Sequence, residues 1–236
     1  MIVFLIWFNT AIKNLKNIRM KKYLISSILI ILTLGVFAQN MRFTVIVDPK
    51  FSWMKSDLNS VDNDGSKFGV NIGLNVDKFF APNYALMTGI SIDNTGGNLK
   101  FENTKFLKTG SGTEELAPGS IIHYKLQYID IPLGLKLKTN EIGYWTFFTH
   151  LGLNGGINIK ATAEVDDYAL ENENISDEVR LFNLGYFIGA GVEYSIGGNA
   201  AVVLGLTYTN GFIDITDGND SKVTLSNFAI RVGILF

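Results

Sequence analysis

Beyond residue 40 the chain alternates apolar with small or polar side chains, and this period of two constrains its fold more than any other feature. Alternation gives an extended strand two unlike faces, whereas an amphipathic helix needs apolar positions three or four apart. Val70, Ile72, Leu74 and Val76 oppose Gly69, Asn71, Gly73, Asn75 and Asp77. Leu86, Ile90 and Ile92 oppose Gly89, Ser91 and Asp93. Trp145, Phe147, Leu151 and Leu153 oppose Thr146, Phe148, His150, Gly152 and Asn154. Phe182, Leu184, Tyr186, Ile188, Val192 and Tyr194 oppose Asn183, Gly185, Gly189, Gly191 and Glu193. At the end of the chain Phe228, Ile230, Val232, Ile234 and Phe236 oppose Asn227, Arg231 and Gly233. No convincing helical period appears in this region.

Connections of two kinds separate these segments. Ala81-Pro82-Asn83, Thr139–Gly143 and Gly197-Gly198-Asn199 are short turns. Residues 57–66, about 102–119, about 166–178 and 217–221 are more polar, and the middle two are long. Eight strands result, over 42–54, 67–80, 84–100, 120–138, 144–164, 179–196, 200–215 and 223–236. An even number of strands with short turns at one end and longer loops at the other predicts an all-β fold. The specific expectation is an eight-stranded antiparallel up-and-down transmembrane β-barrel. Both chain ends then fall on the short-turn side, which is periplasmic in such a barrel.

A soluble lipocalin-like barrel is the competing reading, and the nature of the two faces separates them. Here one face is Gly, Asn, Ser and Thr with a few charges: Asp48, Lys50, Asp77, Asp93, Lys136, Lys138, Glu193 and Arg231. Those charges suit a narrow lumen in which opposite signs pair, and glycine there lets facing side chains pass. The other face is continuous Leu, Ile, Val and aromatic, as lipid requires. Several strands exceed the roughly 9–11 residues needed to cross a bilayer, so they are expected to project beyond it. Trp53, Phe79, Phe80, Tyr84, Tyr144, Trp145, Tyr208 and Phe212, near strand ends, fit aromatic girdles at the interfaces. A terminal Phe236 on an alternating last strand resembles the signal that outer-membrane insertion machinery reads.

The first residues read as an address. From Met20 two lysines precede a mostly apolar run from Tyr23 to Phe37, and Val36 and Ala38 suit a peptidase cutting before Gln39. A transmembrane anchor competes, because the run approaches the minimum spanning length; the cleavage-like end favours a signal peptide over 20–38. Residues 1–19 open with the eight apolar residues MIVFLIWF and then become mixed, which reads as a gene-model extension. Residues 39–236 form the barrel domain.

Composition agrees once the leader is set aside. Residues 1–38 carry five basic and no acidic side chains, so the remaining 198 hold 15 basic against 22 acidic, a net charge of −7. That balance argues against nucleic acid as a partner. The absence of cysteine removes disulfides, thiol nucleophiles and cysteine-ligated metals.

The leader, the eight strands, the final Phe236 and the run YIDIPLGLKLK over 128–138 together resemble the PorT-type outer-membrane β-barrel family of Bacteroidetes, porin-like small barrels. Tyr128, Ile131, Pro132 and Leu133 match its Tyr-x-x-Ile-Pro-Leu segment in the fourth strand. The resemblance covers essentially the whole mature chain and marks a barrel family rather than an activity. The family is named for a component of the type IX secretion system. Around the motif the apolar register changes: Tyr124, Leu126 and Tyr128 are even, Ile131, Leu133, Leu135 and Leu137 odd. A β-bulge at Ile129–Pro132 would keep both sets facing lipid, and Pro132, which donates no ladder hydrogen bond, fits beside one.

No catalytic, cofactor-binding or metal-ligating set is assigned. His150 faces the expected lumen with Glu193, and Ser91 is a conceivable third member of a lipid deacylase-type triad, but a lumen histidine among polar neighbours is the better reading. His123 lies near the start of the fourth strand. Two histidines on separate strands make a weak metal site. The acidic run Asp166, Asp167, Glu171, Glu173, Asp177 and Glu178 lacks the spaced Asp/Asn-Gly pattern of a calcium loop and reads as a solvated surface loop. Asp57–Gly65 lacks the terminal Glu of such a loop. Gly189 and Gly191, and Gly152, Gly155 and Gly156, lie inside strands and form no phosphate cradle. The expectation is a monomeric, non-enzymatic outer-membrane barrel with no cofactor, its outer loops contacting partners, lipid or surface polymers. Its expected partners are outer-membrane lipids, the barrel-assembly machinery during insertion and secretion-system proteins. A role as accessory component of the type IX system and a lipid-modifying enzyme are the alternatives; a diffusion pore is not expected, because side chains fill the interior of an eight-stranded barrel.

Overall fold

The computed structural model describes residues 40–168, 170–217 and 222–236. The expected signal peptide and the preceding extension lie outside the described residues. The chain divides into two compact units, Met1–Met41 and Arg42–Phe236, and the described fold is that of the second.

Among the described residues there are twelve strands: β1 (Met41–Ser56), β2 (Val61–Asn63), β3 (Lys67–Ala81), β4 (Tyr84–Phe101), β5 (Lys105–Thr109), β6 (Gly112–Leu116), β7 (Ile121–Lys138), β8 (Trp145–Val165), β9 (Leu170–Asn174), β10 (Phe182–Gly197), β11 (Ala200–Gly211) and β12 (Val223–Leu235). Eight of them, β1, β3, β4, β7, β8, β10, β11 and β12, pair in that order, and β12 returns to β1. The barrel is closed, antiparallel and up-and-down. At the seam Phe43 and Phe236 exchange backbone hydrogen bonds of 3.0 and 2.9 Å and stack their rings 6.1 Å apart. Closure leaves no sheet edge, the condition for strands in hydrocarbon.

The eight expected strands correspond to these eight. Two boundaries shift by more than two residues: the sixth begins at Phe182 rather than 179, and the seventh ends at Gly211 rather than 215. Both displaced pieces belong to a cap at the long-loop end, where Val179 bridges Thr216 and Arg180 N–H donates to the Ile215 carbonyl.

The outer face is apolar over a band. On β7 Ile131, Leu133 and Leu135 are about half exposed, and above Ile129 the same face turns to Gln127, Lys125 and His123. Residues 129–137 span roughly 27 Å along the strand at about 3.3 Å per residue. With a tilt of roughly 40°, the band is about 20 Å tall, close to the roughly 25 Å of outer-membrane barrels.

The proposed bulge at Ile129–Pro132 is not there. Residues 122, 124, 126, 128, 130 and 136 are all buried, so β7 alternates without a break from one end to the other. What changes is the barrel interior. Near the turns it is polar, whereas at the loop end Met54, Leu99, Ile122, Tyr124, Leu126, Tyr128 and Leu225 form one apolar core inside the barrel. Tyr124, Leu126 and Tyr128 therefore face inward, not to lipid. An extra residue does occur one strand away: Gln127 pairs Lys160 while Tyr128 pairs Asn158, leaving Ile159 as the insertion in β8. Below it Phe148 and His150 point inward; above it Ala161, Ala163 and Val165 do. Pro132 lacks ladder pairing on the β4 side, as its missing N–H requires.

Candidate functional site: the charged lumen and its cap

In the lumen, alternation places the small and charged residues of all eight strands inside a narrow cylinder. Lys136 on β7 lies 2.6 Å from Asp77 on β3 and 2.6 Å from Glu193 on β10. Arg42 approaches Glu193 at 3.6 Å, and Arg231 engages both oxygens of Asp48, the shortest contact being 2.9 Å. Lys50 is hydrogen-bonded to Asp93. Ion pairs thus form as expected among seven of the eight anticipated lumen charges. Lys138 instead lies 4.8 Å over the Phe79 ring at the turn end, and Arg42 covers the same ring at 5.6 Å. Phe79 accordingly faces the barrel mouth rather than an outer girdle. Of the other girdle residues, Trp53 meets Tyr208 at 6.3 Å, Phe80 meets Tyr84 at 6.3 Å, and Trp145 meets Tyr194 at 4.7 Å.

Rings fill the space that glycines leave. Phe187 lies in one row with Gly152 and Gly134, and Phe148 in one row with Gly191 and Gly205. A Cβ at Gly152 would come within 2.9 Å of the Phe187 ring, and one at Gly191 within 2.6 Å of Phe148. His150 stacks on Phe148, meets Phe187 edge-on, and places Nε2 3.1 Å from Thr207 Oγ1.

Internal cavities of about 60, 20 and 10 Å³ remain, and a larger space of about 210 Å³ sits among the turns. The 60 Å³ cavity is lined by Asp48, Lys50, Ser91, Asp93, Asp130 and Arg231, among others; His150 lines the 10 Å³ one. Ser91 and His150 thus belong to different cavities, and Glu193 is engaged by Lys136 and Arg42, so the conceivable triad is not assembled. Asp130 is an inward-facing carboxylate that the sequence reading missed, because the assumed register change left its face undefined. It accepts a hydrogen bond from Asn154 at 2.7 Å.

Three long connections place side chains on the apolar core at the opposite end. The first folds as a hairpin, β5–β6, and places Leu107 and Leu116 on the apolar core; the second contributes Ile175 and Val179, and the last Ile215. Glu178 fastens the hairpin: its carboxylate takes the Lys105 ammonium at 3.1 Å and the Lys108 N–H at 3.1 Å. Gly110 N–H donates to the Asn174 carbonyl at 2.8 Å, and Ala117 N–H to the Tyr168 hydroxyl at 2.5 Å. Glu178 is therefore buried, not part of a solvated loop, although Asp166, Glu171 and Asp177 are exposed. His123 sits 3.5 Å from Asp166 at this end. Among the described residues no three or more His, Asp or Glu side chains converge as metal ligands.

The outer membrane protein beta-barrel domain family matches residues 19–217. The chain belongs to this family. No curated protein matches the chain. Among solved structures the barrel is similar to Neisserial surface protein A, with 14% identity, a TM-score of 0.46, and 82% of this chain and 95% of that one covered. It is similar to the attachment invasion locus protein of Yersinia pestis at 16% identity and a TM-score of 0.41, covering 84% and 100%. It is also similar to the outer membrane protease OmpT of Escherichia coli at 10% identity and a TM-score of 0.44, covering 84% and 96%. This outer-membrane barrel combines a charged, ring-filled lumen with an apolar cap.

Proposed function

We propose that this barrel is a non-conducting interaction protein, with its cap on the outer face of the cell and the chain ends in the periplasm. The observation that carries this reading is the cap itself. Its loops are folded on an apolar core inside the barrel mouth and cross-linked through Glu178. A fixed surface costs less ordering on binding than mobile loops do, which suits contact with lipid, surface polymer or a protein partner. Catalysis is not part of the proposal, because among the described residues His150 meets Thr207 and His123 meets Asp166, with no serine bonded to either. The Tyr128–Leu133 resemblance supports a second, finer reading: a PorT-type barrel accessory to type IX secretion, in which case deletion of the gene stops export of that system's cargo.

The test is comparative co-purification from gently solubilised membranes, using the full chain and a variant in which residues 105–116 are replaced by a short turn. Components retained by the full chain and lost from the folded variant are expected. An identical set from both would sink the cap as the contact surface.

A further inference from the structure

On the outer wall of β4, β7 and β8 the strand pairing sets side chains in rows. Ile92, Ile129 and Ile157, with the inserted Ile159 beside them, form the last apolar row below the cap. The next row is Asn94, Gln127 and Lys160, then Gly96, Lys125 and Thr162, then Asn98, His123 and Glu164. Rows lie two residues apart, so at a strand tilt of roughly 40° Lys160 and Lys125 stand about 5 and 10 Å above the isoleucines. The headgroup zone of a bilayer adds about 5–7 Å per leaflet to the hydrocarbon, so these two lysines bracket its outer limit.

Lys67, the first residue of β3, joins them. Its side chain runs over the bare Gly96, with Cδ 3.3 Å from where a Cβ would stand, and Gly96 pairs with Lys125. Partial burial first, and the Lys125 charge second, hold the Lys67 ammonium below the usual lysine range, while Glu164 pulls the other way. Lys125 is bonded to Glu164 and to the Asn172 side-chain oxygen at 2.9 Å. Lys160 offers its carbonyl to Asn158, and among the described residues its ammonium has no ion pair or hydrogen bond. Three ammoniums against Glu164 leave two positive charges on this wall. Asp64 and Asp166 meet Asn98 and His123 in the outermost row, beyond the lysines. On β10 and β11 the outward residues at the same end are Phe182, Tyr186, Tyr208 and Asn210, without a charge among them. The basic patch is therefore one-sided, a site rather than a belt.

We propose that this patch binds the phosphate monoester of an outer-leaflet lipid, with Lys67, Lys125 and Lys160 on the phosphate oxygens and the acyl chains along Ile92, Ile129 and Ile157. A phosphate monoester carries up to about two negative charges near neutral pH, which matches the surplus; a diester carries one and a zwitterionic headgroup none. Placement in the outer leaflet rests on the outward cap proposed above.

The test titrates the full barrel, in zwitterionic micelles, with dimyristoyl phosphatidic acid, phosphatidylglycerol or phosphatidylcholine, and counts bound lipid by native mass spectrometry. One phosphatidic acid per barrel is expected, held about tenfold or more tighter than phosphatidylcholine, with phosphatidylglycerol between them. Lys67→Gln with Lys160→Gln keeps the Lys125–Glu164 pair and should weaken phosphatidic acid binding by about tenfold or more, and arginine at both positions should restore it. The same charge loss at Lys108 and Lys222 should change binding by less than about twofold. Equal affinity for all three lipids, or equal loss in both double variants, would overturn the proposal. Displacement of the lipid by inorganic phosphate would make this a site for a free anion and overturn it too. Orientation is read separately: with no native cysteine, Ser111→Cys in the β5–β6 turn should react with a membrane-impermeant maleimide on intact cells. An unreactive cysteine would remove the outer leaflet from the proposal, and with it the outward cap, even where lipid binding persists.

Discussion

Lys136 stands between Asp77 and Glu193 and is only about one-twentieth exposed, so its removal strands the buried Asp77 and leaves Glu193 with Arg42 at 3.6 Å. Breaking one partner out of a buried ion pair typically costs about 3–5 kcal/mol. Lys136→Met should lower barrel stability by that order in urea titration of the refolded protein, whereas loss of less than about 1 kcal/mol would show that the network is solvated. The glycines make a complementary prediction. Gly191→Val drives a branched side chain against the Leu204 carbonyl and the Phe148 ring, and overpacking of this kind costs at least about 1–3 kcal/mol. The double change with Phe148→Ala should recover part of that loss. Much of this lumen was legible in the sequence, because alternation alone assigns Asp48, Lys50, Asp77, Asp93, Glu193 and Arg231 to one face. Which charge meets which was not. Lys136 reaches over β4 to Asp77 and over β8 to Glu193, so the pairing depends on barrel closure and stagger, which no single strand encodes.

The cap shows where strand-by-strand reading stops. Alternation says that two residues share a face; it does not say what that face touches. Tyr124, Leu126 and Tyr128 look like lipid-facing residues because lipid and a protein core select the same side chains. The long connections were equally opaque: β5 and β6 are five residues each, each supplies a single buried anchor, Leu107 or Leu116, and the Phe106 beside Leu107 is exposed. Glu178→Ala removes the acceptor for Lys105 and Lys108. Trypsin should then cut after one of these lysines at least tenfold faster, while the barrel retains its β-sheet circular dichroism; an unchanged cleavage rate would show that the apolar anchors hold the hairpin alone. Deleting Ile159 abolishes the insertion in β8 and turns Ala161, Ala163 and Val165 away from the core. That variant should refold as a barrel with an exposed, protease-sensitive cap. A protected cap after deletion would mean that the register recovers elsewhere.

On the scale of the whole barrel, ion pairs and rings interleave, with Lys136 4.7 Å over the Phe148 ring, and the apolar core follows at the loop end, with cavities of about 60, 20 and 10 Å³ in the interior. Planar-bilayer recordings should show no step conductance above leak, and unitary steps would contradict a sealed interior. The seam adds a consequence of another kind. Phe43 and Phe236 are partners drawn from opposite ends of the described fold, and β12 has β1 as its neighbour across the gap. Every other barrel contact can form between neighbours in the chain, but this one closes the longest loop available and therefore comes late. Until it does, the growing sheet carries two bare edges, each able to capture another molecule. The most dangerous moment in the life of this protein is the interval before its first and last strands find each other.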